Sequence, residues 1–177
     1  ELGVKITSDS RAAIAASHVF IDFTFPEPTM KNLAWAAKSQ TMAVIGTTGL
    51  SDAQKKQVAK TAKKIPVLFS PNMSVGMNLL FRLVGQVASI LGDDYDIEIV
   101  EAHHRFKADA PSGTALSLRD SILRATGRDA ERDVIYGRRG DSGQRPARQI
   151  GMHALRVGDT VGEHEVHFGN LGETVTI

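Results

Sequence analysis

The chain has 177 residues, 42% of them hydrophobic and 23% charged, with 21 Lys and Arg against 20 Asp and Glu and a formal net charge of +1. So small a net charge excludes the one-signed field of a nucleic-acid binder, and the composition fits one globular domain or two small ones. With no cysteine, disulfides and thiolate metal sites are excluded, which suits a cytosolic setting.

The residues GVKI (3–6) read as part of a strand that begins at once, and ETVTI (173–177) as a β-rich run that stops without a turn. The sequence, which starts at Glu1 and not Met, is therefore expected to be the middle of a longer one. HVFIDFT (18–24) is a short apolar run ending in polar residues, as a buried parallel strand does. PTMKNLAWAAKSQ (28–40) predicts a helix with Pro28 in its first turn and Leu33, Ala34 and Ala37 at helical spacing. MAVIGTTG (42–49) is a second strand. SDAQKKQVAKTAKK (51–64) is a lysine-rich helix with Ser51 as N-cap and Gln54 at its third position. IPVLFS (65–70) is a third strand. This alternation predicts a parallel, doubly wound sheet, whose ligands sit at the carboxyl ends of the strands. The polar residues there are Asp22 and Thr24, Thr47 and Thr48, and Ser70 and Asn72.

The pattern then changes, and a boundary is expected near Ser74. SVGMNLLFRLVGQVASILG (74–92) predicts a long apolar helix, read as too polar at Arg82 and Gln86 to cross a membrane. DIEIVEAHH (96–104) alternates with period two, as a half-buried strand does. SGTALSLRDSILRATG (112–127) predicts a helix closed by Gly127. DVIYG, IGMHALRVG, EHEVHFGN and ETVTI make the rest β-rich, around a polar Gly- and Arg-rich segment at 138–149 read as mobile. The fold expected is α/β plus α+β: an incomplete Rossmann-like parallel sheet over 1–73, then a domain over 74–177 with long helices and a mixed or antiparallel sheet.

EAHHRFKADAPSGTA (101–115) carries the chemistry. In a strand running to His104, Glu101 and His103 share one face and Glu98 and His104 the other, so the adjacent histidines do different jobs. Lys107 follows in a loop, and Ser112-Gly113-Thr114 opens the next helix. A helix start with hydroxyls and a nearby ammonium is an anion site, here with an imidazole suited to proton transfer at its edge. Taken singly, the histidine pair reads as a surface feature, Ser-Gly-Thr as a cap, and Asp109-Ala-Pro as a turn. His103, His104 and Asp109 as metal ligands converge poorly, and no metal is expected.

E-A-H-H-R-x-K-x-D-A-P-S-G-T-A resembles the signature of the dihydrodipicolinate reductases. IDFT with Pro26 and Glu27, VIGTTGLS (44–51), PNMSVGMN (71–78), DIEIVEAHH and GDTVGEHEVHF (158–168) match in the same order. The resemblance implies a nucleotide-binding domain, a substrate domain and a homotetramer formed through the substrate-domain sheet; from the composition, a cytoplasmic setting and no nucleic-acid or membrane partner are expected. It implies reduction of 4-hydroxy-tetrahydrodipicolinate, a cyclic dicarboxylate, to tetrahydrodipicolinate with NADH or NADPH, in diaminopimelate and lysine biosynthesis. It makes His103 the general acid, supported by Lys107. His104, Lys107, Ser112, Gly113 and Thr114 hold substrate carboxylates. Gly46, Thr47, Thr48, Ser70, Pro71, Asn72 and Met73 lie along the nicotinamide half of the cofactor. The chain departs from the family at Phe106, where many members carry a third histidine, and in having no Gly-rich turn for the pyrophosphate, so no measurable NADH affinity is expected of it alone. The competing expectations are another two-domain NAD(P)-dependent dehydrogenase, or a ligand-sensing or assembly domain of the same fold.

Overall fold

The computed structural model describes residue 3 and residues 6–177. The strand expected over 3–6 rests on residues 4 and 5, which lie outside the described residues. The chain forms two compact units, residues 1–73 and 74–177.

In the first unit, α1 (Ser10–Ala15) is a short helix that the pattern did not suggest; the Asp9 carboxylate caps it by accepting from the Ala12 N–H at 2.9 Å. Three parallel strands, β1 (Val19–Asp22), β2 (Met42–Ile45) and β3 (Val67–Phe69), pair in that order. Between them run α2 (Pro26–Ser39) and α3 (Asp52–Thr61). The helix α2 begins two residues earlier than expected, because Pro26 takes the first helical position, where a missing N–H costs nothing. Ser51 and Gln54 form the expected capping box on α3.

The expected incomplete, Rossmann-like parallel sheet is present, and among the described residues its helices cover one face. Consecutive parallel neighbours joined by right-handed crossovers place both helices on the same side. Leu33, Ala36 and Val58 of the helices pack there against Ala43 and Ile45. Alternation turns Val19, Ile21, Met42 and Leu68 to the opposite face, where they are exposed.

The second unit is built on a mixed five-stranded sheet of order β5-β6-β4-β7-β8. The central β4 (Asp96–His103) runs parallel to β6 (Ile150–Arg156) and antiparallel to β7 (Glu163–Asn170). The edges are β5 (Val134–Tyr136) and β8 (Glu173–Thr176). The helices α4 (Val75–Leu91) and α5 (Gly113–Thr126) cover one face. Val84, Ala88, Leu118 and Ile122 enclose Ile97, Ile99, Ile150, Met152, Val166 and Phe168 in one core. Gly85 lets α4 approach α5 closely, since a Cβ there would stand 3.2 Å from the Ser121 carbonyl oxygen. Contrary to the reading of Arg82 and Gln86, α4 and the turn after it are long and apolar enough to cross a membrane by length and composition alone.

The opposite sheet face carries Glu98, which accepts from Arg138 (2.7 and 3.0 Å), Arg145 (3.0 Å) and His153 (2.7 Å). Burial would raise its pKa, but these bonds outweigh it and hold the carboxyl at about 2. The segment 138–149 is therefore not the free loop the sequence suggested: it has no helix or strand, yet arginines at 138 and 145 tie it to the central strand.

Candidate active site

The strand β4 ends at His103, one residue short of the expected end, so His104 lies beyond the last ladder pair. The alternation that buries Ile97 and Ile99 also turns Glu101 and His103 inward. Glu101 is 1% exposed and its four acceptor positions are filled. Its Oε2 accepts from His103 Nδ1 at 2.5 Å and Arg156 Nη1 at 2.9 Å; its Oε1 accepts from Arg156 Nη2 at 2.8 Å and the Ser112 N–H at 3.0 Å. Burial favours the protonated carboxyl, but the Arg156 guanidinium, His103 and the Ser112 amide reverse that and hold Glu101 at about 2.

Sheet register brings these partners in from distant sequence. Arg156 of β6 pairs with His103, and His164 of β7 pairs with Glu101. The His164 ring stands edge-on to His103, with centroids 5.1 Å apart, and its Nε2 meets Ser112 Oγ at 2.9 Å. Burial, then the neighbouring His103, push the His164 pKa down, so its ring stays neutral. A cavity of about 130 Å³ beside it is lined by Gly162 and apolar side chains including Val84, Leu118 and Val166, which supplies the low-dielectric surroundings.

The other expected residues fall around this core. Ser112 caps α5 by accepting from the Ala115 N–H at 3.1 Å, so with Glu101 and His164 its hydrogen bonding is engaged within the protein. Gly113 and Thr114 form the first turn of α5, at the positive end of its dipole. Lys107 Nζ contacts both oxygens of Asp109, at 2.8 and 2.9 Å, and Arg156 Nη2 reaches the Asp109 carbonyl at 2.6 Å. Lys107 is thus joined through Asp109 to the Glu101–Arg156 pair. The Nδ1 of His104 is buried without a hydrogen-bond partner, and its ring lies 6.4 Å from that of Phe106.

Three of these residues had no role assigned from the sequence: Glu101, Arg156 and His164. The period-two pattern placed Glu101 on the His103 side. Nothing local marks Arg156 or His164, whose positions follow from strand pairing. Among the described residues, no group of three or more His, Asp or Glu is disposed to hold a metal ion.

In the first unit, the strand ends are tied together by buried Asp22. Its Oδ1 accepts from the hydroxyls of Thr24 (2.6 Å), Thr29 (3.0 Å) and Thr47 (3.2 Å), and its Oδ2 from Asn32 (2.8 Å). Burial would raise the Asp22 pKa, but these bonds lower it. Thr47 is 2% exposed and its hydroxyl points into this network, whereas Thr48 is exposed. Gly46 lies against the Phe23 ring, where a Cβ would come within 2.0 Å of a ring carbon, so a larger residue would require the exposed Phe23 side chain to move. Ser70 donates to the Asn72 carbonyl at 2.6 Å, folding the 70–73 segment back at the end of β3; Pro71 and Met73 are exposed there.

Comparison with known proteins finds relatives along nearly the whole chain. Residues 1–73 match the family model described as dihydrodipicolinate reductase, N-terminus, and residues 76–177 the one described as dihydrodipicolinate reductase, C-terminus. A 4-hydroxy-tetrahydrodipicolinate reductase of Aromatoleum aromaticum is 51% identical over 99% of this chain and 63% of that protein. One from Hahella chejuensis is 49% identical over 99% of this chain and 66% of that protein. The chain thus spans 63 to 66% of the length of these relatives. A structure of dipicolinate-bound dihydrodipicolinate reductase from Paenisporosarcina sp. TG-14 superposes with a TM-score of 0.57 at 28% identity, over 90% of this chain and 60% of that one. A putative oxidoreductase from Magnetospirillum magnetotacticum, at 16% identity and a TM-score of 0.55 over 100% of this chain and 63% of that one, shares the fold. The chain belongs to the dihydrodipicolinate reductase family.

Proposed function

We propose that this chain forms the reacting part of an NADH- or NADPH-dependent reductase that converts 4-hydroxy-tetrahydrodipicolinate to tetrahydrodipicolinate for diaminopimelate and lysine synthesis. The observation that carries this reading is an imidazole, His103, backed by a buried carboxylate beside a helix start and a lysine. That set offers a proton and an anion site together, which reduction of a dicarboxylated ring requires. The names of the relatives and the dipicolinate in the structural neighbour support the same substrate class.

In this reading His103 is the general acid and presents Nε2 to the substrate ring, because Nδ1 is occupied by Glu101. The first turn of α5, at Gly113 and Thr114, takes one substrate carboxylate. Lys107 takes the other by exchanging Asp109 for it, and His104 lends its buried Nδ1. Ser112 acts indirectly, holding Glu101 and His164 in place.

The strand ends of the first unit fit a nicotinamide cofactor: Gly46 adds no side chain, Thr48 is exposed, and Ser70 to Met73 turn back beside them. Gly46, Thr47, Thr48 and Ser70, Pro71, Asn72 and Met73 would hold it, Thr47 through its backbone. When bound, the reduced nicotinamide supplies a hydride to the substrate. The reading also places the enzyme in the cytoplasm, as a homotetramer joined through the sheet face that bears exposed Leu155.

Substrate binding is testable with pyridine-2,6-dicarboxylate, a planar analogue. In an enzyme of the relatives' length containing this sequence, Lys107→Ala and Thr114→Val should each raise its inhibition constant. Losing a hydrogen bond to a charged group costs about 1.5–3 kcal/mol, or roughly 10- to 150-fold. Unchanged inhibition in both variants would move the dicarboxylate site elsewhere.

A further inference from the structure

We infer that Glu101, clamped by Arg156, is the positioning residue that fixes the His103 ring and keeps its Nε2 as the proton-transfer atom; this rests on the reductase reading above. Glu101 and His103 are two residues apart on one strand face, and the carboxylate takes the Nδ1 side of the ring at 2.5 Å. A carboxylate can only accept at that position, so Nδ1 carries the proton in both ring states, and the proton that comes and goes is on Nε2. The ring is held from each neighbouring element. Arg156 lies beside it in β6 and His164 stands edge-on from β7. Gly162 meets the Nε2 side, where a Cβ would approach to 3.0 Å. A glycine there leaves the reacting nitrogen room that a larger residue would take.

Arg156 has a separate part in this device. Its two bonds to Glu101, with the Ser112 amide, keep the carboxylate charged and immobile, so a proton leaving His103 goes to the substrate and not to Glu101. Arg156 also grips the Asp109 carbonyl. Asp109 in turn holds Lys107, so one guanidinium sets the acid and the carboxylate-binding lysine in a common frame. The same arrangement explains a buried Glu that contributes nothing apolar to the core: its surroundings are those of an orienting group.

Two measurements test this. The first is the histidine-ring 15N spectrum of this chain, which reports the tautomer without any need for turnover. His103 should be protonated at Nδ1 with Nε2 bare in its neutral form, and Glu101→Gln, whose amide can donate to Nδ1, should move the proton to Nε2. An Nε2-protonated His103 in the unsubstituted chain would overturn the inference. The second is kinetics in an enzyme of the relatives' length. Glu101→Gln should lower kcat by about 10²–10⁴, the range of a positioned general acid, and leave KM within about threefold, with Glu101→Asp recovering part of the loss. An altered KM at unchanged kcat would overturn it. Because Glu101→Gln leaves the half-buried Arg156 without its counter-charge, the double variant Glu101→Gln/Arg156→Met guards against a loss due to misfolding; a folded double variant with parental kcat would also overturn the inference. If the parent enzyme itself shows no turnover, the reductase reading fails, and the ring spectrum still decides the role of Glu101.

Discussion

Replacing His103 by Ala, in an enzyme of the relatives' length that contains this sequence, is expected to lower kcat by about 10²–10⁴ while the fold survives, as removal of a positioned general acid does. The fold should survive because His103 supplies one of several partners to Glu101. Without it the carboxylate still accepts from both Arg156 nitrogens and the Ser112 amide, so no buried charge is stranded. Neighbouring histidines should not rescue the loss. His164 is committed to Ser112 and held neutral by its surroundings. His104 lies past the strand end and lacks a carboxylate to orient it. A variant whose kcat stays within about threefold of the parent would remove His103 from the role of acid.

The second large effect concerns the three-stranded sheet. Amides of β1 in this chain should exchange at least about tenfold faster than those of β4, a difference of 1.4 kcal/mol or more in opening free energy. Among the described residues, β1 pairs on one side with β2, whereas β4 pairs on both sides. Ile21 is 71% exposed and Leu68 56%, while Ile97 and Ile99 are nearly or fully buried. The exposed apolar face also favours association with another chain, so Ile21→Lys should reduce self-association. Equal protection in residues 19–22 and 97–102, measured by hydrogen exchange, would show that this sheet needs no further cover.

Much of the fold was legible because local chemistry and period agree. Ser51 with Gln54, and Ser112 with Gly127, mark helix ends whose caps appear as expected. The alternation of 96–103 marked a half-buried strand and put Glu101 with His103 on one side. The errors arose where a short or non-local effect decides. Six residues of α1 give too little periodicity to read, although Asp9 signals its start. The segment 138–149 looks like a loose polar loop until Glu98, some 40 residues earlier, is known to face it. The site shows the same division. His103, Lys107 and the start of α5 are close in sequence and could be read together. Arg156 and His164 join them only through the registers 103 with 156 and 101 with 164, which depend on strand order.

In the proposed reaction, an enzyme containing this sequence reduces 4-hydroxy-tetrahydrodipicolinate, with His103 supplying the proton. The most direct measurement follows NADH and NADPH oxidation by such an enzyme with freshly prepared substrate, beside its His103→Ala variant. Oxidation of at least one cofactor that depends on the substrate, is inhibited by pyridine-2,6-dicarboxylate and falls about 10²–10⁴-fold in the variant is the result predicted. No substrate-dependent oxidation by the folded parent with either cofactor, or equal oxidation by parent and variant, would contradict it.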